Sequence, residues 1–369
     1  MDKLNNTRIG RTIPVPTPDT IKKQYPIGDA EAGVVLRSRR VIERILHGHD
    51  HRILVVVGPC SFHDVETLFR YARQLARLAG RLANLHVVMR FCGDKPRTGL
   101  GWPGFWSDPG MDGRYDFAYG WTESRRLALR ILGLGLPLGC EYLDPALYQY
   151  TDDLMAYAWI GARDVGSTKM RKRASALSVP VGLKNHPSGG VEVAIEGLKV
   201  AVRKNFFVDP DDTYALTRFE SIGNRMAHLI HRGVDAGPNY SRENVMESAR
   251  MLANAGMLER VMIDVSHGNT LVQDSEDSKK WKKDYTRQVP AIKDVTRQIV
   301  DGGPIAGILC ESFLKEGKQS IPEDLRQLDR SQLRLDQSVT DGCLGWETTE
   351  ETLVWMNDRL SRRKKHRKA

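Results

Sequence analysis

Cysteine is scarce. The chain has five in 369 residues, at positions 60, 92, 140, 310 and 343. They show no disulfide-framework or zinc-ribbon spacing, so each reads as core filler or a single functional thiolate in a reducing cytoplasm. Long apolar runs are also missing. The longest aliphatic stretch is Ile53-Leu54-Val55-Val56-Val57, strand-sized and far short of the ~20 residues of a membrane helix. The first twelve residues are polar, with no apolar core of a secretory signal. Internal repeats and low-complexity linkers are absent. Acidic charge is in deficit, 46 Asp and Glu against 55 Lys and Arg, for a net +9. Much of that is local, because Arg362-Arg363-Lys364-Lys365-His366-Arg367-Lys368 carries six of the positive charges. We take residues 362–369 as a basic, solvated tail and expect no nucleic-acid partner. The rest of the excess leaves room for a cationic site facing anionic substrates.

What is present is a globular composition, 41% apolar and 27% charged, arranged in a strand-then-helix rhythm. Residues 1–50 form an extension. Pro14, Pro16 and Pro18 favour extended chain there, and a helix is predicted over 29–47. From residue 51 to 361 short apolar runs recur at Ile53–Val57, Leu85–Met89, Leu138–Leu143, Ala158–Ala162, Val179–Leu183, Ala227–Ile230, Val261–Val265 and Ile305–Leu309. Helical patterns lie between them, near 65–82, 122–135, 145–157, 168–177, 189–203, 241–257, 278–300 and 346–362. Eight buried runs alternating with helices predict an α/β fold, a (β/α)8 TIM barrel. The stretch 204–226 breaks the rhythm and reads as an insertion before the sixth strand, in the form of a hairpin.

The residues after each run share a character: Cys60, Arg90, Glu141, Arg163, Lys184, Arg232, His267 and Glu311. In a barrel these ends converge on the face where active sites lie. A single charged strand end is ordinarily a solvated loop residue; eight together are harder to explain that way. Cys60, His267 and Glu311 are metal-competent, and Asp341 can add a fourth ligand from the last loop. Such a mixed sulfur, nitrogen and oxygen set suits one divalent ion of Mn, Fe, Co or Zn better than Mg or Ca. Arg90, Lys95, Arg97, Arg163, Lys184 and Arg232 form a cationic set suited to carboxylate and phosphate oxygens. Glycines in His186-Pro187-Ser188-Gly189-Gly190 open a helix and either cradle an anion or simply turn the chain.

Longer segments resemble the DAHP (3-deoxy-D-arabino-heptulosonate 7-phosphate) synthases, in the class with an N-terminal extension. They include Val57-Gly58-Pro59-Cys60-Ser61-Phe62-His63-Asp64, Lys95-Pro96-Arg97-Thr98, Asp108-Pro109-Gly110-Met111-Asp112 and Ile160-Gly161-Ala162-Arg163. Pro180-Val181-Gly182-Leu183-Lys184-Asn185, Val261-Met262-Ile263-Asp264-Val265-Ser266-His267 and Thr340-Asp341-Gly342-Cys343-Leu344-Gly345-Trp346-Glu347 continue the match. The resemblance runs in order from about residue 8 to 360. It implies condensation of phosphoenolpyruvate with D-erythrose 4-phosphate, the first step of the shikimate pathway to aromatic amino acids.

By position, the resemblance also implies a metal site of Cys60, His267, Glu311 and Asp341. Phosphoenolpyruvate falls to Arg90, Lys95, Arg163, Lys184 and Arg232. The aldehyde falls to Lys95, Pro96, Arg97, Thr98 and Asp341, with Arg97 on its phosphate. Lys95, Lys184, Glu141 and His267 are the expected catalytic residues. A homodimer or homotetramer, and an aromatic amino acid effector bound with help from the N-terminal arm, are further implications. Arg8-Ile9, Gln149 and Ser178 match that regulatory pattern, while Asn5-Asn6 and Tyr148 depart from it. Asp164-Val165-Gly166-Ser167-Thr168 and Phe91-Cys92-Gly93-Asp94 also depart from the family, which leaves open a paralogue serving a specialised aromatic pathway with a related phosphosugar aldehyde. A metal-independent aldolase forming a Schiff base on Lys184 or Lys95 is the other enzymatic alternative.

Overall fold

The computed structural model describes residues 4–95, 101–274 and 280–362. Eight parallel strands close into a barrel. They are β1 (Ile53–Gly58), β2 (Leu85–Arg90), β3 (Leu138–Glu141), β4 (Met155–Ile160), β5 (Val181–Lys184), β6 (His228–His231), β7 (Val261–Asp264) and β8 (Ile305–Glu311). Each pairs with its neighbour in chain order, and β8 closes the ring on β1, with Gly58 opposite Glu311. The strand runs are almost wholly buried, as expected where helices cover one face and the barrel interior the other. The helices are α1 (Pro18–Gln24), α2 (Asp29–Leu46), α3 (Val65–Ala79), α4 (Phe117–Leu132), α5 (Thr168–Ala174), α6 (Glu192–Ala201), α7 (Arg242–Asn254), α8 (Gln288–Val300) and α9 (Trp346–Ser361).

Strand alternation decides what faces inward. Leu54, Val56, Val88, Trp159, Ile230, Met262 and Leu309 form one buried cluster inside the barrel. Ile42, Ile45 and Leu46 of α2 join it and plug the N-terminal end. Continuing the same parity to the C-terminal ends brings Arg90, Glu141, Lys184, Asp264 and Glu311 to the inner face. The interior has no spare room beside Ile230, where a Cβ on Gly182 would collide with that side chain. A larger cluster packs the outer faces of the strands against the helices.

Three expectations are corrected. Pro18 does not exclude helix. It stands at the start of α1, where its missing N–H is harmless, and Thr17 accepts a hydrogen bond from Thr20 N. The helix predicted over 145–157 shrinks to a single turn, Pro145–Tyr148, and β4 starts three residues early at Met155. The buried run Met155-Ala156-Tyr157-Ala158-Trp159-Ile160 is strand: Tyr157 and Trp159, two residues apart, fill the barrel interior, while Ala158 and Ile160 pack on the outer face. The helix predicted over 278–300 begins only at Gln288; Trp281–Lys283 instead pairs antiparallel with Leu271–Gln273. The hairpin expected in 204–226 is present, Phe206–Pro210 against Leu216–Glu220. All five cysteines are free and buried. Among the described residues no helix is long and apolar enough to cross a membrane.

Candidate active site at the C-terminal rim of the barrel

Arg90, Glu141, Lys184 and Glu311 are the last residues of β2, β3, β5 and β8. Arg232 follows β6 directly. Cys60, Arg163 and His267 lie in the first residues of the loops after β1, β4 and β7, and Asp341 lies in the loop ahead of α9. The eight residues expected at strand ends therefore share one rim. Pro96, Arg97 and Thr98 lie outside the described residues, as does the basic tail beyond Arg362.

On one side of the rim, ligand atoms of Cys60, Glu311 and Asp341 all lie within 4.8 Å of one another. His267 is joined to this group through Glu311, its Nε2 3.6 Å from Glu311 Oε1. The Lys95 ammonium sits among them, 2.7 Å from Cys60 Sγ, 3.7 Å from Glu311 Oε1 and 3.5 Å from Asp341 Oδ2. Arg90 donates to Glu311 Oε1 at 3.2 Å and packs its guanidinium 5.0 Å from the centre of the Trp159 ring. Asp341 also receives Lys283 at 2.9 Å. A thiol and two carboxylates clustered together, with an imidazole beside them, are donors of the kind a divalent transition ion takes, so the residues present fit such an ion.

Electrostatics follow from this crowding. Burial, with Glu311 and Asp341 nearby, pushes the Cys60 thiol up to about 12 against the pull of Lys95. Burial disfavours charge on Lys95, but Cys60, Glu311 and Asp341 hold its pKa well above the ordinary lysine value. Burial likewise opposes ionisation of Glu311, and His267, Lys95 and Arg90 outweigh it and lower its pKa.

Behind the cluster stands Asp264, fully buried at the end of β7. Its Oδ2 is 2.8 Å from Lys184 Nζ and 2.9 Å from His267 Nδ1. Its Oδ1 accepts from Ser266 Oγ at 2.5 Å and from Ser266 N at 3.1 Å. The sequence reading gave Asp264 no role, although a carboxylate closing an apolar strand run was the available signal. Lys283 was missed as well, because nothing local ties it to Asp341, 58 residues on.

The opposite side of the rim is more open. Arg163 is exposed and close enough to Arg232 for their charges to oppose each other. Among the described residues, Arg232 Nε and Arg90 Nη1 are buried with no hydrogen-bond partner, donors of the kind an anion satisfies. Glu141 is inward and buried, its charge felt by Lys95 and Asp164. Three asparagines tie these loops together. Asn185 Oδ1 accepts from Arg232 N at 2.8 Å and from Asn239 Nδ2 at 3.2 Å, and Asn239 N donates to Asn269 Oδ1 at 2.8 Å. Gly233, at φ +79°, lies so close to Gly268 that a side chain there would strike its backbone. A cavity of about 660 Å³ opens beside the cluster, with His267, Glu311 and Asp341 in its wall and Lys283, Lys315 and Arg334 around it.

The model of the DAHP synthetase I family matches residues 24–354. The Tyr-sensitive phospho-2-dehydro-3-deoxyheptonate aldolase of Salmonella typhimurium is 38% identical over 362 residues, covering 98% of this chain and 97% of that protein. The Trp-sensitive enzyme of Escherichia coli is 37% identical over 352 residues, 95% and 96% of the two chains. The solved structure of the Francisella tularensis phospho-2-dehydro-3-deoxyheptonate aldolase superposes with a TM-score of 0.89 at 32% identity, covering 96% of this chain and 99% of that one.

Proposed function

The chain belongs to the DAHP synthetase I family, and we propose from that premise that it joins phosphoenolpyruvate to D-erythrose 4-phosphate and water, giving DAHP and inorganic phosphate. The observation that carries the reading is the meeting of Cys60, Glu311 and Asp341 around Lys95 at the barrel rim.

Cys60, His267, Glu311 and Asp341 would hold one divalent ion of Mn, Fe, Co or Zn. Such an ion, when bound, supplies Lewis-acid polarisation of a carbonyl oxygen. Arg90, Lys95, Arg163, Lys184 and Arg232 take the phosphate and carboxylate of phosphoenolpyruvate; the unpaired donors of Arg90 and Arg232 support this. Lys95, Pro96, Arg97, Thr98 and Asp341 hold the aldehyde, with Arg97 on its phosphate. So placed, C3 of phosphoenolpyruvate faces the aldehyde carbon and forms the new bond. C2 becomes electron-poor, water adds there, and phosphate leaves with C–O cleavage. Glu141 and Lys184 position that water and move its proton.

A Schiff base requires a neutral amine. Lys184 is bound to Asp264 and Lys95 to the Cys60–Glu311–Asp341 cluster, which disfavours that route. A related phosphosugar aldehyde is the second reading, motivated by Asp164-Val165-Gly166-Ser167-Thr168 after Arg163, which departs from the family pattern.

Pure protein mixed with both substrates should consume phosphoenolpyruvate, followed by loss of its ultraviolet absorbance. Chelator should stop the reaction and added metal restore it. Chelator-insensitive turnover with a borohydride-trapped lysine adduct would replace this reading with the Schiff-base aldolase. Running arabinose 5-phosphate in parallel separates the two aldehyde readings.

The same proposal places the enzyme in the cytoplasm, as a homodimer or homotetramer with an aromatic amino acid effector. We divide it into an arm and helix over 1–50, a catalytic barrel over 51–361 and the tail 362–369. The arm is tied to the regulatory region we assign. Tyr150 Oη donates to Pro16 O at 2.7 Å, and Lys22 bridges Asp152 and Asp212, each at 2.8 Å. Exposed Leu4, Ile9 and Ile13 on the arm and Leu216 and Ile222 by the hairpin are apolar surface suited to a second subunit.

A further inference from the structure

We propose that Asp264 is a positioning residue that couples the metal half of the site to the phosphoenolpyruvate half, an inference that rests on the function proposed above. One carboxylate oxygen, Oδ2, serves both Lys184 Nζ at 2.8 Å and His267 Nδ1 at 2.9 Å. The other, Oδ1, is occupied by Ser266 through its hydroxyl and its backbone N–H. Asp264 is fully buried, so bulk solvent does not screen this sharing. Asn269 Nδ2 holds the Asp264 carbonyl at 2.7 Å, fixing the backbone that carries the carboxylate.

Two consequences follow. First, His267 Nδ1 lies 2.8 Å from Ser266 Oγ, which itself donates to Asp264 Oδ1, and 2.9 Å from Asp264 Oδ2, so the proton sits on Nδ1 and the Nε2 lone pair faces Glu311. A carboxylate behind a ligating imidazole raises its basicity and fixes its orientation. The His267 backbone, at φ +54°, is in the left-handed region, so the ring is held there by its partners rather than by a relaxed local conformation. Second, Lys184 and His267 draw on the same oxygen. An anion that engages the Lys184 ammonium weakens its claim on Asp264 and leaves more negative charge for His267. Binding of phosphoenolpyruvate and binding of a divalent ion therefore reinforce each other through Asp264, and the reinforcement is reciprocal. Direct attraction between the two ligands also exists, but it does not need Asp264.

Asp264→Asn removes the charge and sets an amide donor against one of two donors, Lys184 or His267. The test uses Mn2+ as the probe. Its dissociation constant is measured on the full chain with and without phosphoenolpyruvate, in wild type and variant, alongside thermal unfolding. For the variant we expect Mn2+ binding weaker by about 10- to 100-fold, and a several-fold smaller tightening of Mn2+ by phosphoenolpyruvate. A variant that binds Mn2+ within twofold of wild type, or keeps the full tightening, overturns the inference. If Asp264→Asn does not fold, Asp264→Glu carries the test, because it keeps the charge while displacing the carboxylate from Lys184 and His267. A several-fold loss of Mn2+ affinity supports the proposal and wild-type affinity overturns it. A wild type that binds no Mn2+ overturns the metal reading and this inference with it, whereas wild-type binding left unchanged in the variants overturns this inference alone.

Discussion

The two sides of the barrel rim differ in how their charges are balanced. On the side of β1, β2 and β8, the cations Arg90 and Lys95 balance the carboxylates Glu311 and Asp341 in a largely buried cluster beside Cys60. On the side of β4 and β6, the charges of Arg163 and Arg232 oppose each other, and no carboxylate is bound to Arg232 among the described residues. The first side is balanced in charge and resembles a buried ion network, with Arg90 Nη1 left over as a donor. The second is left short of negative charge and is positioned by neutral asparagines instead. A cationic site built this way has little to lose when an anion arrives.

Breaking the balanced side should have the largest effect. Glu311→Gln strands the buried Arg90 and weakens the hold on Lys95, so we expect a loss of about 3–5 kcal/mol in stability, read by denaturant unfolding, together with loss of metal binding. Arg232→Met on the open side should leave stability nearly unchanged. It should raise the KM for phosphoenolpyruvate about 10- to 100-fold, the worth of one charged hydrogen-bonding group. A large loss of stability there, with KM intact, would erase the contrast between the sides.

Acid sharpens the comparison. Burial pushes His228 and His231, on β6 of the open side, down to about 4 from 6.5. Their folded pKa values lie below the unfolded ones, so the unfolded chain binds more protons in this window. Their contribution is therefore complete above pH 6.5 and lost as pH falls towards 4, by up to about 1.4 kcal/mol per pH unit for each histidine. Thermal unfolding scanned from pH 7.5 to 4.5 checks this, and a flat profile would contradict it. The smallest effect belongs to a pair outside both sides. Glu66→Gln removes the exposed partner of Arg130 and should cost less than about 1 kcal/mol by the same measurement.

The barrel was legible because its strands are buried on both faces and so stand out as unbroken apolar runs. The rim residues were legible because a charge directly after such a run breaks the pattern. Boundaries were less so. Pro18 reads as a breaker from sequence but starts a helix once Thr17 caps it, and Met155-Ala156-Tyr157 carries no mark separating strand from helix. Partnerships were least legible. Glu311 reads as a metal ligand, but its simultaneous contact with Arg90, Lys95 and His267 depends on barrel closure, which joins residues more than 200 apart in the chain. Asp264 was hidden for the same reason: Lys184 is 80 residues away.

The claim on which all this depends is that Cys60 is a thiolate ligand to a single metal ion shared with His267, Glu311 and Asp341. Substituting Co2+ into the stripped protein and recording the near-ultraviolet spectrum tests it directly. The account predicts a thiolate-to-cobalt charge-transfer band that saturates at one Co2+ per chain and disappears in Cys60→Ser. A wild-type complex lacking that band, or a Cys60→Ser protein that keeps both the band and full activity, would contradict it.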